Sequence, residues 1–224
     1  MLTLVLVSLV GAAPTPDPVI RIRSWVGSST TEPIGYDLMA DCTGPHGPYR
    51  TRVAYRRFDL WARFVQWHGK EQTWDAVVLG NESWVVDDAG TWARGDSETL
   101  AGVMGHQFLA MVLAPEKMFR GLALFQKEQF EGEQVEWFTG SDIAGTPVEL
   151  AIDGAGRPVA LRLQRGGKIG TLLIRWSNWQ RVGRVRIPMA AQIDQGKDKF
   201  RFRFRPPQLG TPADAGWTPP NVAR

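Results

Sequence analysis

One cysteine, Cys42, stands in a chain of 224 residues. An intramolecular disulfide is therefore excluded, and so is a cysteine-cluster metal site. Cys42 lies in Asp41-Cys42-Thr43-Gly44-Pro45-His46-Gly47, which reads as a turn. No basic residue or helix start adjoins it to form a thiolate, so the thiol is expected to be incidental. Histidine is nearly as scarce. His46, His68 and His106 are the three, and no pair has the spacing of a helical zinc site. G-x-S-x-G, Walker and G-x-G-x-x-G motifs are all missing. Gly-Ala-Gly at 154–156 opens no helix and so cradles no phosphate. Charge of one sign is missing too: 26 basic residues face 23 acidic ones. The basic runs Arg50, Arg52, Arg56, Arg57 and Lys199, Arg201, Arg203, Arg205 interleave with apolar residues. That is the wet face of a strand, not the clustered charge of a nucleic-acid binder. No apolar run reaches the about 20 residues of a membrane span. No fixed-period repeat or composition break is visible. A single domain without metal or cofactor is expected.

What is present is apolar and aromatic. The hydrophobic fraction is 43%, with ten Trp and ten Phe against three Tyr. This supports a real core, and Trp and Phe are the large apolar groups of cores and pockets. Residues 2–10 read LTLVLVSLV, uncharged, followed by Gly11-Ala12-Ala13 and a Pro-rich stretch. A short apolar run ending in small residues is the pattern of an export signal. It predicts a signal peptide over residues 1–13 and an exported, periplasmic protein. An extension over 14–33, one domain over 34–207 and a Pro-rich, irregular tail over 208–224 complete the expected layout.

From Ile34 onward the apolar period is two. Ile34, Tyr36, Leu38 and Ala40 alternate with smaller or polar residues. Phe58, Leu60, Ala62 and Phe64 suggest a third strand whose other face carries Trp61, Val65 and Trp67, so that strand is expected to be covered on both sides. Gly80-Asn81, residues 87–90, residues 153–156 and Gly166-Gly167 are hairpin turns. Phe200, Phe202 and Phe204 against Lys199, Arg201, Arg203 and Arg205 make the cleanest alternation in the chain. Ten or eleven antiparallel strands are predicted. In the middle the period changes: Leu100, Val103, Met104, Phe108 and Met111 are three and four apart, predicting one amphipathic helix over 97–112. Asp96 or Ser97 is its natural N-cap, and Gly102 and Gly105 inside it would permit close approach to a sheet. A second, shorter helix is expected within residues 116–126. A long antiparallel sheet curls, and its concave face can receive a helix.

Three segments then carry a family resemblance. They are Ser83-Trp84-Val85-Val86-Asp87-Asp88-Ala89-Gly90 before the Leu/Met helix, Asp153-Gly154-Ala155-Gly156-Arg157-Pro158 between two strands, and Val182-Gly183-Arg184-Val185-Arg186-Ile187-Pro188 after Trp176 and Trp179. Their order, behind an export segment, resembles the LolA/LolB-type periplasmic lipoprotein carriers and their LolA-like relatives. The resemblance implies a mainly β fold, a single curved antiparallel sheet forming a half-open β-barrel under a helical lid. Those carriers have a helix soon after the cleavage site. Here Pro16, Pro18 and the β-leaning Val19-Ile20-Arg21-Ile22 predict none over 14–31.

The resemblance implies a monomeric carrier for an apolar ligand, lipid or lipoprotein acyl chains, handed between membrane-bound donor and acceptor proteins, with no chemistry of its own. Relatives that regulate envelope stress add a second reading, a sensor that binds a partner protein through the barrel. A hydrolase of lipid-like substrates is a third. Its nearest acid–base carboxylates are Asp87, Asp88 and Asp153, although acids at hairpin ends usually bond their own turn. The expected ligand-binding residues are Leu100, Val103, Met104, Phe108 and Met111 on the lid. On the sheet they are Leu60, Phe64, Val78, Trp84, Leu161, Leu163, Ile174, Phe200 and Phe202.

Overall fold

A computed structural model of the chain describes residues 17–27, 35–57, 59–165, 170–214 and 217. The expected signal peptide, Ile34, Phe58 and the Gly166-Gly167 turn lie outside the described residues. The described residues form four helices and fourteen strands, more strands than the turn signals suggested. The first half runs α1 (Pro18–Val26), β1 (Gly35–Gly44), β2 (Gly47–Arg56), β3 (Trp61–His68), β4 (Glu71–Leu79), β5 (Glu82–Val86) and β6 (Trp92–Arg94). The helical interlude is α2 (Ser97–Gly105), α3 (Phe108–Leu113) and α4 (Pro115–Met118). Then come β7 (Phe119–Phe130), β8 (Glu133–Asp142), β9 (Pro147–Asp153), β10 (Pro158–Gln164), β11 (Thr171–Val182), β12 (Val185–Gln195), β13 (Asp198–Phe204) and the two-residue β14 (Gln208–Leu209).

All strands join one antiparallel sheet in the order β6-β5-β4-β3-β2-β1-β13-β12-β11-β10-β9-β8-β7, with β14 beside β1. Two meanders, one from each half of the chain, meet at the β1–β13 pair. Their outermost strands, β6 and β7, are consecutive in the chain and do not pair. The sheet is therefore curved but unclosed, a half-open barrel. The chain passes from one free edge to the other through α2, α3 and α4, so the lid is the strap between the edges.

Strand parity sorts the side chains into two faces. Tyr36, Leu38, Val53, Phe64, Val78, Phe138, Leu150, Leu161, Ile174, Ile187 and Phe202 share the large buried cluster with Ile22 and Val26 of α1 and with α3. This is the concave face. On the convex face Trp61 and Val77 pack with Trp92 and Trp217, and Val135 and Trp137 pack with Phe130 and Leu173. The double-sided apolar pattern around Trp61 is thus covered on both sides, and the cover on the convex side is the tail. Asp214 accepts hydrogen bonds from Arg52 (2.9 Å) and Arg63 (2.8 Å), which also pair with Asp37 and Asp75. Burial would raise the Asp214 carboxyl, but the two guanidinium groups hold it below the usual carboxylate range.

Four expectations are corrected. Residues 18–26 form a helix where an extended segment was expected. Asp17 caps it by accepting from Val19 N–H at 2.8 Å, and Pro18 occupies the first turn, where a missing N–H costs nothing. Ile22 and Val26, four apart, are fully buried, contributing about 1.5–3 kcal/mol each. The segment read as an extension thus fills the concave face. Arg21 donates to the Asp153 carbonyl at 2.9 Å and pairs with Glu136, and Trp25 meets Trp179 edge-on at 4.8 Å. Gly156 holds φ at +91°, and a Cβ there would lie 2.6 Å from the Arg21 carbonyl, so the 153–156 turn needs glycine to seat against α1.

The helix expected over 97–112 is two helices broken at His106-Gln107. Asp96 caps α2, accepting from Thr99 N–H at 2.8 Å. At the break the Tyr36 hydroxyl stands in for a cap, accepting from Ala110 N–H at 3.1 Å and donating to Gln107 Oε1 at 2.8 Å. The second helix expected within 116–126 is one turn, α4, followed by β7. Leu, Ala, Lys, Glu and Gln are good helix formers, but intrinsic propensity is a small preference, and pairing with β8 outweighs it. Finally, Cys42 lies in β1, not in a turn, and is buried against Thr51. Burial pushes its thiol up to about 12, so it carries no thiolate.

Candidate functional site

The structure brings most of the expected ligand-binding residues to the concave face, and packs most of them shut. Phe64, Val78, Val103, Met104, Phe108, Met111, Leu161, Leu163, Ile174 and Phe202 are buried in the large cluster. Leu100 and Phe200 are partly buried against it. Two residues stand elsewhere. Trp84 pairs with Val77, not Val78, so it points to the convex face and meets Trp217 at 5.7 Å. Leu60 precedes β3 in a turn with φ +51° and joins none of the core clusters.

Open space lies at one mouth of the half-barrel, where the C-terminal end of α2 faces the sheet. A cavity of about 290 Å³ is bounded there by the β1–β2 turn, the ends of β3 and β10, and strands β11 to β13. Of the residues named from the sequence, Ile174, Phe200 and Phe202 line it. Sequence reasoning missed Tyr49, Gln66, Leu172, Ile193, Gln195 and Arg165, and the convergence of all three histidines on one space. Tyr49 and Ile193 had a usable signal, since each alternates in phase with core residues of its strand. Arg165 had none. A larger groove of about 800 Å³ runs along the opposite face beside Asp41, Arg50, Arg201 and Arg203. Its charged strand faces suit water rather than an apolar ligand.

Two glycines set how closely α2 lies. A Cβ at Gly102 would come 2.8 Å from the Trp74 ring, and one at Gly105 would come 2.0 Å from the Arg165 guanidinium. α2 thus rests on β4 on one side and touches Arg165, at the end of β10, on the other. Arg165 donates to the Ala101 carbonyl at 2.5 Å. This side-chain tie crosses the mouth.

His106 closes the cavity's inner side. Its Nδ1 donates to the Gly102 carbonyl at 2.8 Å, and its ring packs on Phe64 at 4.1 Å. Burial lowers its pKa to about 4; the Gly102 hydrogen bond opposes this and Arg165 adds to it. The imidazole is neutral in the folded protein at pH 7. The unfolded chain binds this proton first, near pH 6.5, so stability is expected to fall as pH drops from about 6.5 towards 4, then level off. The loss is about 2 kcal/mol, since the ring borders a space water can enter. Urea unfolding of the protein and of His106→Gln at pH 7 and pH 4.5 checks this. The variant should lose less on acidification, and equal losses would assign the effect to other groups.

Two of the three carboxylates considered for catalysis, Asp87 and Asp153, bond their own turns. Asp87 accepts from Ala89 N–H and Thr91 N–H at 3.0 and 2.8 Å, and Asp153 accepts from Ala155 N–H and Arg157 N–H at 2.9 and 2.8 Å. Among the described residues no group of three or more His, Cys, Asp or Glu is placed to hold a metal, and no helix is long and apolar enough to cross a membrane.

The chain is an unclosed antiparallel β-barrel whose two free edges are strapped by a helical lid. The fold is LolA-like. Over 90% of this chain and 97% of the other it matches a LolA superfamily protein from Nitrosomonas europaea, with TM-score 0.64 and 10% sequence identity. A putative outer membrane lipoprotein-sorting protein domain from Vibrio parahaemolyticus matches with TM-score 0.54 and 13% identity, over 80% and 88% of the two chains. A DUF1329 family protein from Desulfovibrio piger matches with TM-score 0.55 and 8% identity, over 90% and 92%. Neither a protein-family model nor a curated protein matches the sequence.

Proposed function

We propose that the protein is an exported binding or carrier protein of the cell envelope, and that its ligand is an acyl chain, free or attached to a lipoprotein. The observation that carries this reading is the cavity under α2, lined by Tyr49, Ile174, Ile193, Phe200 and Phe202 at the mouth of an unclosed barrel. Apolar surface kept open to water costs about 25 cal/mol per Å², and a lid over it relieves that cost until a ligand takes its place. The cavity is at the small end of ligand sites, which run about 300–1,000 Å³. It admits one chain end as it stands, and a longer ligand displaces α2. That helix is suited to move. It contains Gly102 and ends at Gly105, and it is separated from α3 by a break. Met104 on α2 and Met111 on α3 can repack around varied shapes.

Native purification followed by lipid extraction and mass spectrometry is expected to recover an acyl lipid, and the emptied protein is expected to take up a fluorescent acyl probe. Absence of both overturns the carrier reading.

A second reading, a sensor that captures a partner protein, draws on β7. This edge strand pairs on one side only and exposes Leu124 and Phe125, the latter by 59%. An unpaired, apolar edge is a template for strand addition. Pull-down of a protein whose capture is lost in Phe125→Lys, with no lipid recovered, would favour it.

A further inference from the structure

Arg165, just past the end of β10, differs from the partly buried arginines of the strands. Arg52, Arg63, Arg162 and Arg175 each pair with a carboxylate. Among the described residues no carboxylate pairs with Arg165; Asp142 and Glu98 act on it only through their field. Its Nη2 bonds one lid carbonyl, and its Nε is buried without a hydrogen-bond partner among the described residues. Among the described residues lining the cavity it is the one formal charge, and they include no Asp or Glu. Opposite it the wall is apolar: Leu172, Ile174, Ile193, Phe200 and Phe202.

A half-buried guanidinium without a counter-ion, facing an apolar wall, matches a ligand of the opposite make. We infer that the cavity selects an amphiphile with an oxyanion head, a carboxylate or phosphate, which Arg165 holds while the acyl chain lies against Phe200, Phe202 and Ile174. The planar fork of arginine meets two oxygens of such a head at once. An unmade hydrogen bond of a buried charged donor is costly, and a charged head that supplies two oxygens gains more than a neutral ester, whose carbonyl accepts one weaker bond. Burial also pulls the Arg165 proton affinity below that of ordinary arginine, yet arginine stays charged at neutral pH. The contact to Ala101 gives the head a second effect. An oxyanion competes for the donor that ties β10 to α2, so binding of the head loosens the lid that the chain must pass.

This rests on the acyl-ligand reading, and the test separates the two. The probe is a dansyl-labelled undecanoic acid, measured beside its methyl ester by fluorescence titration. The protein is expected to bind the acid about tenfold or more tighter than the ester, the range of one charge-assisted hydrogen-bond pair. Arg165→Gln is expected to abolish the preference, so that acid and ester bind with equal affinity, while Arg165→Lys keeps part of it. Equal binding of acid and ester by the unaltered protein, or a preference that survives in Arg165→Gln, overturns the inference and leaves the acyl reading standing. Binding of neither probe overturns both. In case Arg165→Gln fails to fold, the salt dependence of the unaltered protein decides. The acid's advantage should shrink between roughly 0.05 M and 1 M salt, and a salt-independent ratio overturns the inference. Competition by dodecanoate, by dodecyl phosphate and by inorganic phosphate identifies the head. Displacement by inorganic phosphate as strong as by dodecyl phosphate would mean a bare anion site, contrary to the inference.

Discussion

Phe108→Ala is expected to cost about 3–5 kcal/mol of folding stability, the range for emptying a fully buried aromatic site. Phe108 is 1% exposed, and its ring lies 5.2 Å from Phe202 and 5.9 Å from Phe204, between α3 and the centre of the sheet. In a chain of this size such a loss lowers the melting temperature by roughly 10 °C. Urea and thermal unfolding measure it. Phe108→Asp, which buries a carboxylate with no basic partner, is expected not to fold. Leu100→Ala, on the partly buried start of the same stripe, is expected to cost less than about 1.5 kcal/mol. Equal losses at the two positions would mean that α2 is packed as firmly as α3, and would remove the basis for treating α2 as the part that opens.

Tyr36→Phe is expected to cost about 2–4 kcal/mol, although it removes one oxygen. The hydroxyl serves two buried groups at the break between the helices, the Ala110 N–H and the Gln107 side-chain carbonyl. Burial also raises the pKa of this phenol far above its ordinary value, so it stays a donor at any accessible pH. Without it both groups are left buried and unpaired, at about 1–3 kcal/mol each, partly offset by relaxation. The β content should not change. Hydrogen exchange at Met111 and its neighbours should quicken, because the α3 N-terminus loses its anchor to β1. A loss below about 0.5 kcal/mol would mean that water replaces the hydroxyl.

Some elements could be read from residues alone because their signal is local. The alternation of Phe200, Phe202 and Phe204 with Arg201, Arg203 and Arg205 allows one orientation only, since charged groups stay in water. The Asp96 cap and the 153–156 turn were legible for the same reason: a short side chain bonds its neighbouring backbone wherever the chain goes. Residues 18–26 were misread because Val19, Ile20 and Ile22 carry a strand preference. The four-residue spacing of Ile22 and Val26, which fits a helix lying on the sheet, weighs more once that surface exists. Trp84 was assigned to the wrong face because in β5 both faces are apolar, and parity then says which residues share a side but not which side is which.

The alternating strands, the helical interlude between them and the set of apolar side chains that must be buried follow from residues alone, because periodicity and turn chemistry act over a few residues. Which face curves inward, where the lid breaks and where space is left follow from the assembled fold. Those depend on contacts between residues far apart in the chain: Tyr36 with Ala110, Trp217 with Trp84, Arg165 with Ala101. The cavity itself belongs to no residue's preference. It lies between the C-terminal end of α2, whose two glycines sit against Trp74 and Arg165, and the side chains of β11 to β13.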